Sequence, residues 1–270
     1  MISGILGACD VLAKSLGGLR PGSCVVINYH SISEETKPRF VKQLDFLLVL
    51  TTPIPAANEF VFEKNTRYAA VTVDDVFCDF VISGLPELRK RNIPVTLFPP
   101  TGFLGRKSSW DDYGGENKVG EQVVSADELK RIAKFDTVDF GSHGVNHLDL
   151  ARLPEEAARQ ELQNSKKSLE TIVGREITAV SFPYGSNGSR ELRLAEEAGY
   201  KFYFDSTPQQ IYSGMSMGLI GRVDVQPTDW DIEFRLKACG AYRWVRRASA
   251  WKKKLRARFG SSGENNSNHG

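Results

Sequence analysis

The sequence has few of the features that would set it apart from ordinary globular proteins. Its four cysteines, Cys9, Cys24, Cys78 and Cys239, include no C-x-x-C pair. A chain of 270 residues does not need disulfide staples, so free thiols in a reducing compartment are expected. No run of eighteen apolar residues occurs, which excludes a membrane-spanning helix. The opening stretch, MISGILGACDVLAKSLGG, lacks a basic start, and Asp10 and Lys14 interrupt its apolar part, so it reads poorly as an export signal. A cytoplasmic location is therefore expected. There is no internal repeat, and histidine is scarce: His30, His143, His147 and His269 are all the chain has.

Charge is unevenly placed. The net charge is +2, yet Arg243 to Arg258 carries eight Lys/Arg and no Asp/Glu, so the remainder of the chain is acidic. Within that basic stretch Trp244, Ala248, Trp251 and Leu255 recur at helical spacing. The pattern describes a basic amphipathic helix. It can lie in an anionic membrane interface, as a peripheral contact through residues 240–260 on the inner face, or pack on the body with a solvated basic face. No recognition motif accompanies the charge, so nucleic acid is not expected as a partner.

Seven short apolar runs rich in β-branched and aromatic residues read as strands: Val25–Tyr29, Ala69–Val73, Val95–Phe98, Val138–Phe140, Ala179–Phe182, Lys201–Phe204 and Leu219–Val223. Their nearly continuous apolar character suits strands covered on both faces, as in a parallel sheet. Helical segments lie between them: Phe40–Leu50, Leu85–Arg91, Ser125–Lys134 with a capping box at Ser125 and Glu128, Leu153–Val173 ending at Gly174, and Arg190–Ala198 ending at Gly199. The alternation implies βαβ units in a barrel or an open doubly wound sheet. The Gly-rich polar stretch Thr101–Val124, with Trp110, Asp111, Asp112 and Tyr113, reads as a long loop over the sheet edge. The expected organisation is a lead-in over 1–20, a barrel domain over 21–232, the basic helix over 233–260 and a disordered tail over 261–270.

The ionisable residues fall at strand ends. His30 follows the first run, Asp74-Asp75 the second, His143 and His147 the fourth, and Pro183-Tyr184-Gly185 the fifth. In barrel-like α/β folds the strand C-termini converge on one face, where active sites lie. His143 and His147 are spaced i, i+4, so on a helical turn both imidazoles could share a cation; capping or surface histidines have the same spacing. Asp74-Asp75 could cap the following helix. At a turning strand end both could instead serve one site, one binding a metal and the other taking a proton from water. Cys78 reads as core.

Three segments taken together resemble the polysaccharide deacetylases, the NodB-homology fold of carbohydrate esterase family four. They are Thr72-Val73-Asp74-Asp75-Val76, Ser142-His143-Gly144-Val145-Asn146-His147 and Phe182-Pro183-Tyr184-Gly185, in the family's order and spacing across roughly 25–225. The resemblance implies a distorted (β/α)7 TIM-like barrel. It makes Asp74 the catalytic base, Asp75, His143 and His147 the ligands of a divalent metal with zinc best suited, and the Tyr184 backbone N–H beside Pro183 the oxyanion donor. It implies hydrolysis of acetyl groups, chiefly N-acetyl, from an amino-sugar glycan or lipid-linked saccharide. An O-acetyl esterase and a carbohydrate-binding member without turnover are the alternatives.

Two departures from the family pattern stand out. No histidine of an L-x-H motif follows residue 147 in the folded part, but Tyr29-His30-Ser31-Ile32 matches the branch that carries the general acid on its first strand, so His30 takes that role; a structural histidine ending the strand is the other reading. The arginine that normally pairs with the catalytic aspartate is replaced by Ser181, and Arg222 on the last strand is the candidate substitute. Val76 stands where the family has glycine.

Overall fold

The computed structural model describes residues 22–110, 120–215 and 218–243. The lead-in, Cys9, Asp111 to Tyr113, the tryptophan-bearing basic segment from Trp244 and the tail lie outside the described residues.

The principal strands are β1 (Ser23–Tyr29), β3 (Arg67–Asp74), β4 (Val95–Phe98), β5 (Val138–Phe140), β6 (Ala179–Ser181), β7 (Phe202–Asp205) and β9 (Leu219–Asp224). Two short strands, β2 (Thr52–Pro53) and β8 (Ile211–Tyr212), were not legible as apolar runs. The order is β5-β4-β3-β1-β9-β7-β6, with neighbours along this path all parallel. The two ends of the path meet where Ser142 pairs with Val180, so the sheet curls into a nearly closed seven-stranded barrel. Gly141 permits this closure: a Cβ there would lie 2.2 Å from the Phe98 ring and 2.9 Å from the Ala179 carbonyl oxygen.

Helices α1 (Lys37–Leu50), α2 (Leu85–Lys90), α3 (Ala126–Ile132), α4 (Glu155–Val173), α5 (Ser189–Glu197) and α6 (Asp231–Ala238) follow the strands. The caps read from the sequence form: Ser125 accepts from the Glu128 N–H, and Gly174 ends α4 in the left-handed region at φ 73°. A π-helical turn, Phe80–Gly84, precedes α2. α6 begins at Asp231 and buries Phe234 and Ala238, so the first turns of the segment expected to be a separate C-terminal helix pack on the barrel beside α1. No helix among the described residues is long and apolar enough to cross a membrane. Cys24, Cys78 and Cys239 are free thiols.

Strand periodicity sorts the core into two layers. Val25, Ile27, Ala69, Val71, Val73, Val95, Leu97 and Val223 point outward under the helices. Cys24, Val26, Ala70, Phe98, Ala179, Phe204 and Ile220 point inward, and Phe60, Phe62 and Ile211 join them at the N-terminal end of the strands. Continuing the same alternation toward the strand C-termini gives Asn28, Thr72, Asp74, Ser181 and Arg222, all buried. The barrel interior is thus apolar at one end and polar at the other, and the polar end carries the site.

Candidate active site

Asp74 is the last residue of β3 and 3% exposed. Arg222, midway along β9 and fully buried, reaches across the interior to it in a bidentate pair: Nη1 to Oδ1 at 2.7 Å and Nη2 to Oδ2 at 2.6 Å. Its guanidinium also donates to Asn28 Oδ1, Thr72 Oγ1, Ser181 Oγ and the Asp205 carbonyl, and Phe98 and Phe204 lie 5.5 and 5.9 Å from its centre. Arg222 is therefore committed beneath Asp74, with no surface left for a substrate. Ser181 is small enough to admit it and adds its own hydroxyl to Asp74 Oδ2 at 3.2 Å. Asn28 Nδ2 completes the set at 3.3 Å. Burial alone would raise the Asp74 pKa; the charge and hydrogen bonds of Arg222 outweigh it and hold the carboxyl well below its usual range.

Asp75 and Val76 turn the chain through two successive left-handed residues, φ 63° and 53°. Such a conformation is uncommon for valine, and burial of the Val76 side chain together with bonds from Val76 N–H to Asp74 O and from Val124 N–H to Val76 O hold it. The turn sends Asp75 into the same chamber as Asp74.

His143 and His147 do not lie on a helical turn. They flank an irregular loop after β5 in which Gly144 and His147 both have positive φ, 75° and 53°. The loop still brings both rings to Asp75: His147 Nε2 is 3.4 Å and His143 Nε2 3.9 Å from Asp75 Oδ1. One ligand atom from each of Asp75, His143 and His147 lies within 4.8 Å of the others, and all three residues are buried. His143 Nδ1 sits 2.9 Å from the Ser181 carbonyl, which can only accept, so Nδ1 carries the proton and Nε2 turns its lone pair to the chamber. Burial pushes both imidazoles down, His147 to about 2, so they stay neutral at physiological pH. Two neutral imidazoles and a carboxylate fit a catalytic divalent cation.

His30 follows β1 and is half-buried. It stands at the same C-terminal end of the parallel strands as Asp74, the last residue of β3. Pro183 is buried and Tyr184 half-buried in the turn after β6, with Tyr184 at φ 60° and its ring 4.9 Å from that of His147. The structure thus gathers His30, Asp74, Asp75, His143, His147, Tyr184 and Arg222 at one end of the barrel.

Two further contributors, Trp110 and Glu161, lie outside the sequence motifs. Trp110 stacks on His147 at 4.3 Å and donates from Nε1 to Asp75 Oδ2 at 3.3 Å. Glu161 and Ser165 are polar residues on the buried stripe of α4, otherwise Ala158, Leu162 and Leu169. A polar pair one turn apart on an apolar face was the available signal for a buried interaction.

The family model described as "Polysaccharide deacetylase" matches residues 63–203, just over half of the chain. A putative polysaccharide deacetylase, YxkH, of Bacillus subtilis strain 168 is 23% identical over 219 residues, covering 77% of this chain and 73% of that protein. Among solved structures, IcaB from Ammonifex degensii superimposes with a TM-score of 0.68 at 20% identity, covering 83% of this chain and 98% of that one. A de-N-acetylase from Aggregatibacter actinomycetemcomitans gives 0.66 at 14% identity, covering 79% and 98%. The barrel is shared with proteins of this kind, and the matched stretch runs through Asp74, Asp75, His143, His147 and Tyr184, so the chain belongs to the polysaccharide deacetylase family.

Proposed function

We propose that the protein is a divalent-cation-dependent hydrolase that removes acetyl groups, chiefly N-acetyl, from an amino-sugar glycan or a lipid-linked saccharide. The observation that carries this reading is the convergence of Asp75, His143 and His147 within 4.8 Å beside the buried Asp74–Arg222 pair. Asp75, His143 and His147 would hold the ion, for which zinc suits the donor set. When bound, the ion supplies positive charge that polarises an acyl oxygen and makes water more acidic.

The remaining steps belong to the chain. Asp74, kept ionised by Arg222, accepts a proton as water adds to the acetyl carbon. The Tyr184 backbone N–H donates to the oxyanion that develops there. His30, in its protonated form, delivers a proton to the sugar nitrogen as the C–N bond breaks, releasing acetate and a free amine. Trp110 walls the chamber on the His147 side and limits access of bulk water.

Arg222 in the place of the usual arginine removes the main motive for reading the protein as a binding member without turnover. Acetate release from N-acetylglucosamine oligomers by the zinc-loaded protein tests the proposal, with O-acetylated xylan alongside. Release from the N-acetylated substrate is expected. Release from the O-acetylated one alone would make the protein an esterase, and release from neither would refute the activity. Peripheral contact of residues 240–260 with an anionic membrane is part of the same reading, and it is checked by liposome flotation with and without them.

A further inference from the structure

The segment that carries both histidines has no regular structure of its own, yet the backbone between them is held from two sides. On one side stands α4. Glu161, 7% exposed, accepts from the Val145 N–H at 2.8 Å and the Asn146 N–H at 2.9 Å through Oε2, and from Asn146 Nδ2 at 2.6 Å through Oε1. One turn later Ser165 hydrogen-bonds the Ser142 hydroxyl, which in turn accepts from the Gly144 N–H at 3.1 Å. Three successive N–H groups therefore close around side chains anchored to one helix, a concave arrangement that favours an anion. On the other side, the Thr101 and Gly102 N–H groups donate to the Gly144 and Val145 carbonyls at 3.0 and 2.8 Å. Glycine at 102 allows this approach, since a Cβ there would lie 2.8 Å from the Val145 carbonyl oxygen.

We infer that Glu161 is a positioning residue for the metal centre: its carboxylate fixes the Gly144–Asn146 turn and thereby the separation of His143 and His147. The inference rests on the reading of Asp75, His143 and His147 as a cation site. Glu161 does not approach the ion's ligand atoms. It acts through the backbone between them, by the position of two acceptor oxygens that are shielded from water. Supports of this kind change metal affinity by about 10- to 100-fold when removed.

Three variants separate position from charge. Glu161→Gln keeps the length and an oxygen for the two backbone N–H groups, and an amide flip of Asn146 supplies an acceptor for the new NH2. Glu161→Asp keeps the charge but withdraws it by one methylene. Glu161→Ala removes both. Zinc affinity is measured on the full chain by competition with a chromophoric chelator, and the visible spectrum of the Co2+-loaded protein reports ligand geometry independently of turnover. Thermal unfolding of the metal-free variants shows whether each is folded.

Affinity is expected to fall about 10- to 100-fold in Glu161→Ala and by a smaller factor in Glu161→Asp, with an altered Co2+ spectrum in both. Glu161→Gln is expected to retain most of the affinity and the parent spectrum. If Glu161→Ala does not fold, the Asp and Gln variants decide the matter alone. Parent-like affinity in Glu161→Asp, or equal losses in Asp and Gln, would overturn the inference. Failure of the parent protein to bind zinc at all would instead refute the cation site itself.

Discussion

Replacing Arg222 by methionine tests the energetic centre of the site. The side chain is fully buried and forms a bidentate pair with Asp74, itself 3% exposed. Methionine fills much of the volume but leaves a carboxylate in the barrel with only Ser181 and Asn28 to bind it. Breaking a buried pair from one side costs about 3–5 kcal/mol, because the stranded charge has lost its partner. In a domain of this size that lowers the melting temperature by roughly 6 to 20 °C.

The sign of the pH dependence separates this cause from simple loss of packing. In the parent, Arg222 holds the Asp74 pKa below its unfolded value. The pair's stabilisation is therefore full above about pH 4 and is lost only as pH falls through the lower folded value. Without Arg222, burial is the largest remaining influence, so the folded pKa is expected to rise above the unfolded one. The variant then gains stability by taking up a proton as pH falls from 8 toward 5, where the parent does not. Urea unfolding of both proteins across that range reads the gap, which should be widest at pH 8 and narrow on acidification. Adding Asp74→Asn to the methionine variant should recover much of the loss. A gap independent of pH, or no recovery in the double variant, would refute the reasoning.

Three further outcomes are expected. Because burial lowers both imidazoles, His147 to about 2, zinc binding at pH 6 should release fewer protons than two histidines of ordinary pKa, which would release more than one; calorimetry in buffers of different ionisation enthalpy counts them. His30→Ala should lower kcat by about 10²- to 10⁴-fold and leave zinc affinity unchanged, which kinetics and metal titration on one preparation would check. Trp110→Ala removes the ring stacked on His147 and the donor to Asp75. It should cost about 3–5 kcal/mol in stability and about 10- to 100-fold in zinc affinity, read by denaturation and chelator competition.

The barrel was legible because its seven main strands are buried on both faces and announce themselves as continuous apolar runs. β2 and β8, two residues each, are too short to leave such a trace. Asp75, His143 and His147 stood out as rare polar groups at strand ends, but the geometry of the two histidines did not. Their i, i+4 spacing suggested a helical turn, and the positive φ of Gly144 and His147 gives a loop that meets Asp75 by another route. Arg222 could be nominated only because Ser181 left a charge to be balanced. That it reaches Asp74 depends on the inward alternation shared by β3 and β9 across the barrel. Glu161 and Trp110 act through contacts 16 and 35 residues away in the chain, with no local pattern to mark them beyond a polar residue on an apolar stripe and an aromatic in a polar loop.

The most direct test of the account is X-ray diffraction from zinc-soaked crystals at wavelengths on either side of the zinc absorption edge. One anomalous peak is expected inside the barrel mouth, bonded to Asp75, His143 Nε2 and His147 and next to Asp74. A zinc ion bound elsewhere, with that position empty at saturating metal, would contradict it.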